Sequence, residues 1–149
     1  MKLSKNFSRA EIEHSNTAKR LGISNEMSEK HLENMQRLID NLIQPLRDSI
    51  GPIRISSGYR SPSLNRAIGG SSRSQHSKAE ALDLQFWSEG KMNNKVIYDW
   101  ILDSGLEFDQ MINEFDFSWI HISLKKNSNR KQVLEAYKDK DGDTAYRLA

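Results

Sequence analysis

With no cysteine in the chain, neither a disulfide framework nor a thiolate metal site is available, so any metal would have to be held by His, Asp or Glu. Four histidines are present. His14 and His31 fall in or beside N-terminal helical segments, where solvated or packing roles suit them. His76 stands in a Ser/Arg/Gln loop directly before a strand-like segment that contains Asp83. Alternation along Ala81–Phe86 puts Leu82, Leu84 and Phe86 on one face and Ala81, Asp83 and Gln85 on the other. In Trp119–Leu124 the same alternation sets Ile120, Ile122 and Leu124 against Trp119, His121 and Ser123. Two neighbouring strands of this kind would present Asp83 and His121 on a common surface, with His76 on the adjoining loop. Three N/O ligands with an open fourth position form the layout of a catalytic zinc site. Spacing alone is not specific, and an exposed strand carboxylate with an ordinary polar-face histidine is the plain alternative.

The elements that must position these residues are legible in outline. Ser8-Arg9-Ala10-Glu11 reads as a capping box opening a short helix that ends before Gly22. Leu32, Met35, Leu38, Ile39, Leu42, Ile43 and Leu46 recur at helical spacing, which predicts one core-packed amphipathic helix. Pro45 should bend or loosen its last turn. Ile53 to Ser56 alternates like a half-buried strand. Ser61-Pro62 reads as an N-cap with proline at the first helical position and Gly69-Gly70 as the stop, followed by a polar loop from Gly70 to Ser77. Val96, Ile97, Trp100 and Ile101 mark a further helix closed by Gly105. Gln110 to Asn113, Trp119 to Leu124 and Lys131 to Tyr137 read as strands. Asp141-Gly142 is a hairpin turn signal leading to a last strand, Thr144 to Leu148. Helices first and strands later predict an α+β fold, a single domain over residues 1–149, with N-terminal helices packed on a small antiparallel sheet that carries the site.

Composition narrows the function classes. A chain of 149 residues is long enough for a hydrophobic core. Its 22 basic and 20 acidic side chains give a net charge of +2 and are interspersed, which argues against a nucleic-acid binder with its clustered basic surface. No stretch approaches the ~18 apolar residues of a membrane span, so no membrane insertion is expected. The opening residues lack the apolar core of a secretory signal, which predicts cytoplasmic synthesis.

Several motifs carry a resemblance. Ser56-Ser57-Gly58-Tyr59-Arg60-Ser61-Pro62, Leu64-Asn65, Gly69-Gly70, and Ser74-Gln75-His76 through Ala81-Leu82-Asp83 resemble the M15 family of zinc peptidases. These are D-alanyl-D-alanine carboxypeptidases and related cell-wall endopeptidases, many of them encoded by bacteriophages. Phe108-Asp109-Gln110-Met111-Ile112, Trp119-Ile120-His121-Ile122-Ser123, Asn129-Arg130-Lys131-Gln132-Val133-Leu134 and Thr17-Ala18-Lys19-Arg20-Leu21-Gly22 extend the likeness over nearly the whole chain.

The resemblance implies that His76, Asp83 and His121 hold Zn2+. It implies that Arg60 is the substrate-side arginine that polarises the scissile carbonyl, a role for which a planar, permanently charged guanidinium is suited. A structural arginine, capping the following helix or pairing with a carboxylate, is the alternative. Ser74 and Gln75 are assigned to loop shaping or substrate contact. The sequence departs from the family pattern at two positions. Ala79 stands where the family usually has glycine, and alanine would be strained there if the backbone needs positive φ. Ser118 stands where many members carry an acidic residue three before the last His. Glu114-Phe115 corresponds to a Glu-Phe pair of a closer subgroup, which makes Glu114 the expected catalytic base, with Asp116 as its competitor. The function implied is zinc-dependent hydrolysis of an amide bond in peptidoglycan stem peptides, as a carboxypeptidase or endopeptidase. The enzyme would act on the cell wall after release from the cytoplasm, in a phage setting. A non-catalytic cell-wall-binding or virion structural domain that keeps the fold is the alternative.

Overall fold

The computed structural model describes residues 1–149. Two short helices open the chain, α1 (Arg9–Glu13) and α2 (Asn16–Leu21), where the sequence suggested one. Ser8 caps the first, and Ser15 restarts the second by accepting from the Ala18 N–H, so two serine caps divide the segment. Gly22 closes α2 with φ 66°.

The long apolar stripe forms α3 (Glu29–Leu38), a π-helical turn over Ile39–Ile43, and α4 (Gln44–Ile50). Pro45 explains the interruption. It cannot donate to the carbonyl four residues back, and its ring crowds that carbonyl. The backbone therefore widens just before it, and Gln44 N–H reaches back to Ile39 O, the i→i−5 bond of a π turn. The loosening precedes the proline instead of following it, and the stripe stays in register: Met35, Leu38, Ile39, Leu42, Ile43 and Leu46 are all buried.

The remaining elements are β1 (Arg54–Ser57), α5 (Pro62–Ala67), a 3-10 turn over Gln75–Lys78, β2 (Ala81–Gln85), a small hairpin of β3 (Trp87–Ser88) and β4 (Lys91–Met92), α6 (Lys95–Ser104), β5 (Gln110–Glu114), β6 (Trp119–Ser123), β7 (Gln132–Lys138) and β8 (Thr144–Leu148). Six strands form one sheet in the order β1-β2-β6-β5-β7-β8. The fold is α+β, as the sequence predicts, but the sheet is mixed: β7 runs parallel to β5 while every other neighbouring pair is antiparallel. Alternation of side chains is the same in both pair types, so this could not be read from the sequence.

One face of the sheet is the core. Leu82, Leu84, Met111, Ile120 and Ile122 pack in one cluster with the buried stripe of the long helix and with Ile97 and Ile101 of α6. Burying these aliphatic side chains stabilises the fold by roughly 1.5–3 kcal/mol each. The opposite face of the central strands is left for Asp83, His121 and Glu114. No helix is long and apolar enough to cross a membrane.

Candidate metal centre

Strand register brings the first two residues together. Asp83 on β2 lies directly opposite His121 on β6, and His121 lies opposite Ile112 on β5, all three on the face turned away from the core. His76 arrives from the 3-10 turn before β2, where Ser74 caps the turn by accepting from the His76 N–H at 3.2 Å. Ala79 ends this turn at φ 57° and ψ 35°, the left-handed conformation that glycine would adopt without strain. The chain thus reverses into β2 through a buried alanine.

His76, Asp83 and His121 are all buried, and one ligand atom from each lies within 4.8 Å of the others. Asp83 Oδ1 is 3.2 Å from His76 Nε2 and 3.1 Å from His121 Nδ1. The other ring nitrogen of each histidine is engaged outside the trio. His76 Nδ1 is 2.8 Å from the Gly58 carbonyl oxygen, which can only accept, so the ring carries a proton on Nδ1. Gly58 also packs directly against α1, where a Cβ would collide with the Ile12 carbonyl. His121 Nε2 is 2.7 Å from Gln75 Oε1, an acceptor as well.

With the inward ring nitrogens deprotonated, as metal binding requires, two imidazole lone pairs and a carboxylate oxygen would converge on one point. Atoms this close need protons or a metal ion between them, and the donor set of two imidazoles and a carboxylate suits zinc. The residues fit the metal that the sequence implies. Burial alone would raise the Asp83 pKa, but interactions with His76 and His121 outweigh it and hold the carboxyl well below the usual carboxylate range.

Arg60 and Glu114 flank this trio. Arg60 Nη2 is 3.7 Å from Asp83 Oδ2, its Nε donates to Ser57 Oγ at 3.3 Å, and its backbone N–H donates to His76 O at 3.2 Å. It is anchored on the same loop-strand corner as the histidine and lines the same cleft. Glu114 ends β5, two residues beyond Ile112 and so on the His121 face. Its residue is 8% exposed. Burial, then repulsion from Asp83, raise its pKa from the ordinary 4.5 to about 7, against opposing pulls from His121 and Arg60. Asp116 is exposed and absent from the cleft lining. It sits in a turn where Phe115, Asp116 and Phe117 all have positive φ, braced by Asn113 Oδ1 accepting from Phe117 N–H at 2.6 Å. Ser118 is occupied by its own turn, donating to the Phe115 carbonyl at 2.7 Å.

These groups line a cleft of about 700 Å³. Phe115 and Trp119 line it beside Glu114, and Thr144 and Tyr146 of β8 line it as well. Ser74 and Gln75, expected to shape the loop or contact substrate, both line the cleft; Ser74 caps the turn, and both ends of the Gln75 amide are bonded within the protein. Its Nε2 donates to Asp109 Oδ2 at 3.0 Å. Asp109 is fully buried and also accepts from Arg130 Nε, Nη2 and backbone N–H. Sequence reasoning carried Asp109 within the Phe108–Ile112 motif but assigned it no role. His14 is exposed, and His31 meets the Tyr59 hydroxyl at 3.1 Å, away from the cleft.

A family model described as Peptidase M15 matches residues 5–123, which takes in Arg60, the three converging residues and Glu114 but not β7 or β8. No curated protein matches the chain.

Proposed function

The chain belongs to the peptidase M15 family, and we propose that it is a zinc metallopeptidase that hydrolyses an amide bond in peptidoglycan stem peptides, as a carboxypeptidase or endopeptidase. One observation carries the reading: three convergent metal-ligand atoms share one cleft with the buried carboxyl of Glu114. His76 Nε2, Asp83 and His121 Nδ1 would hold the metal, which when bound would supply a Lewis acid and acidify a water at neutral pH.

The chain's own residues account for the rest of the chemistry. A carboxyl placed beside the metal position is suited both to accept a proton and to return it. Glu114 would take the proton of the attacking water and deliver it to the leaving amine. Arg60, held by Ser57 and by the His76 backbone, would direct guanidinium N–H groups at the carbonyl oxygen as it gains negative charge. Phe115 and Trp119 line the cleft together with Glu114.

Digestion of purified peptidoglycan, followed by mass analysis of the fragments, tests the reading. Release of single terminal residues would identify a carboxypeptidase, and cleavage within stem peptides or cross-links an endopeptidase. Intact peptides in the presence of stoichiometric zinc would instead support a wall-binding domain that has kept the fold.

A further inference from the structure

We propose that Gln75 is a positioning residue that fixes the proton of His121 on Nε2, and that Asp109 locks Gln75 in the orientation this requires. The proposal rests on the reading of His76, Asp83 and His121 as a metal centre. A histidine can present only one ring nitrogen to a metal, and the partner of the other nitrogen decides which one. For His76 that partner is a backbone carbonyl, whose role cannot change. For His121 it is a side-chain amide, which has a donor end and an acceptor end and could in principle offer either.

Asp109 removes that freedom. Its carboxylate can only accept, so the amide nitrogen of Gln75 must face it, at 3.0 Å. The amide oxygen is then the atom left to meet His121 Nε2, at 2.7 Å, and Nδ1 is left with its lone pair toward Asp83. With the amide reversed, an N–H would face His121 Nε2, the proton would move to Nδ1, and the nitrogen facing Asp83 could not ligate. Asp109 is itself held by the forked Arg130 contact at 3.0 and 2.8 Å and by the Arg130 backbone N–H at 3.1 Å, with Lys125 Nζ 3.6 Å away. Those donors keep the carboxylate ionised, its pKa lowered despite burial, and an ionised carboxylate is the one form that cannot donate to Gln75. The chain of contacts from Arg130 through Asp109 and Gln75 thus ends at the proton of a metal-facing histidine.

The test uses the zinc-loaded full chain and Gln75→Leu, which keeps the side-chain bulk and removes both hydrogen bonds. Zinc affinity is measured by competition with a chromogenic chelator, and imidazole nitrogens are followed by long-range proton–nitrogen NMR. The wild type should show His121 bound through Nδ1 with a slowly exchanging proton on Nε2, and His76 bound through Nε2. Gln75→Leu should weaken zinc binding about 10–100-fold and let the His121 Nε2 proton exchange rapidly. An unchanged affinity in the variant, or ligation of wild-type His121 through Nε2, overturns the proposal while leaving the metal centre intact. Should the variant fail to fold, the wild-type NMR assignment still decides the matter. A wild type that takes up no zinc overturns the metal centre itself, and the proposal with it.

Discussion

Replacing Glu114 by glutamine in the metal-free protein should make the fold more stable at neutral pH while leaving it unchanged in acid. The folded state holds this carboxyl at about 7 against an ordinary 4.5, so between those values the native protein binds more protons than the unfolded chain. Stability then falls as pH rises through that window, and the whole penalty is present above pH 7. At ~1.36 kcal/mol per pH unit the interval sets an upper bound of ~3.4 kcal/mol. The carboxyl opens onto a solvent-filled cleft, and screening there reduces the figure to about 1–2 kcal/mol. Glutamine has the shape of the protonated acid and carries no charge, so it escapes the penalty. Urea denaturation in the presence of a chelator should give equal stabilities at pH 4, and a gap of about 1–2 kcal/mol in favour of Glu114→Gln at pH 8. With zinc restored the gap should shrink or reverse, because a dication stabilises the ionised carboxylate. Equal stabilities at both pH values would show that Glu114 is not desolvated as the structure has it, and would remove the physical basis for its role as the base.

The other predictions concern the cleft residue by residue. His76→Ala, Asp83→Ala and His121→Ala should each abolish the one zinc per chain expected of the wild type by elemental analysis, and stoichiometric zinc persisting in all three would refute the assignment. Arg60→Lys should retain zinc and fold but lose on the order of 10²–10³ in turnover on wall fragments, since an ammonium lacks the forked donor geometry; wild-type turnover would make Arg60 structural. Asp116→Asn should leave hydrolysis unchanged, because the side chain is exposed and asparagine tolerates positive φ as well as aspartate does, and a large loss would move the base to Asp116. Ala79→Gly should change stability by less than about 1 kcal/mol, because relief of ~1–2 kcal/mol of left-handed strain is offset by the loss of a buried methyl, ~0.8 kcal/mol, and by the greater freedom of glycine in the unfolded chain; a thermal melt that moves by much more in either direction would contradict this balance.

Asp83 and His121 could be placed on one surface from the sequence because a strand has an exact side-chain period of two. The observed register sets them directly opposite each other. The stripe from Leu32 to Leu46 was equally legible, since a long periodic run survives one wide turn at Pro45. The left-handed run at Phe115, Asp116 and Phe117 was not legible, because a bulky aromatic residue rarely adopts positive φ and only Asp116 tolerates it readily. Its effect bears directly on the site: the turn ends β5 at Glu114 and begins β6 at Trp119, which places the carboxyl and the aromatic wall on one edge of the cleft and leaves Asp116 outside it.

The least legible part of the site is the set of contacts that orients the ligands, and the reason is physical. Ligation is a property of residue type, so two histidines and an aspartate stand out in any sequence without cysteine. Orientation is a property of hydrogen-bond direction, and glutamine and aspartate are common side chains whose partners depend on the register of distant segments. Gln75 finds His121 and Asp109 only because the polar loop, β6 and the start of β5 meet at one corner of a mixed sheet. The same corner carries Ser74 as a cap, Ala79 as a reversal and Arg60 on the His76 carbonyl. A substitution at any of these positions would act on the metal through geometry and not through ligand count, so its mark would be a graded loss of zinc affinity, set against the abolition expected when His76, Asp83 or His121 is removed.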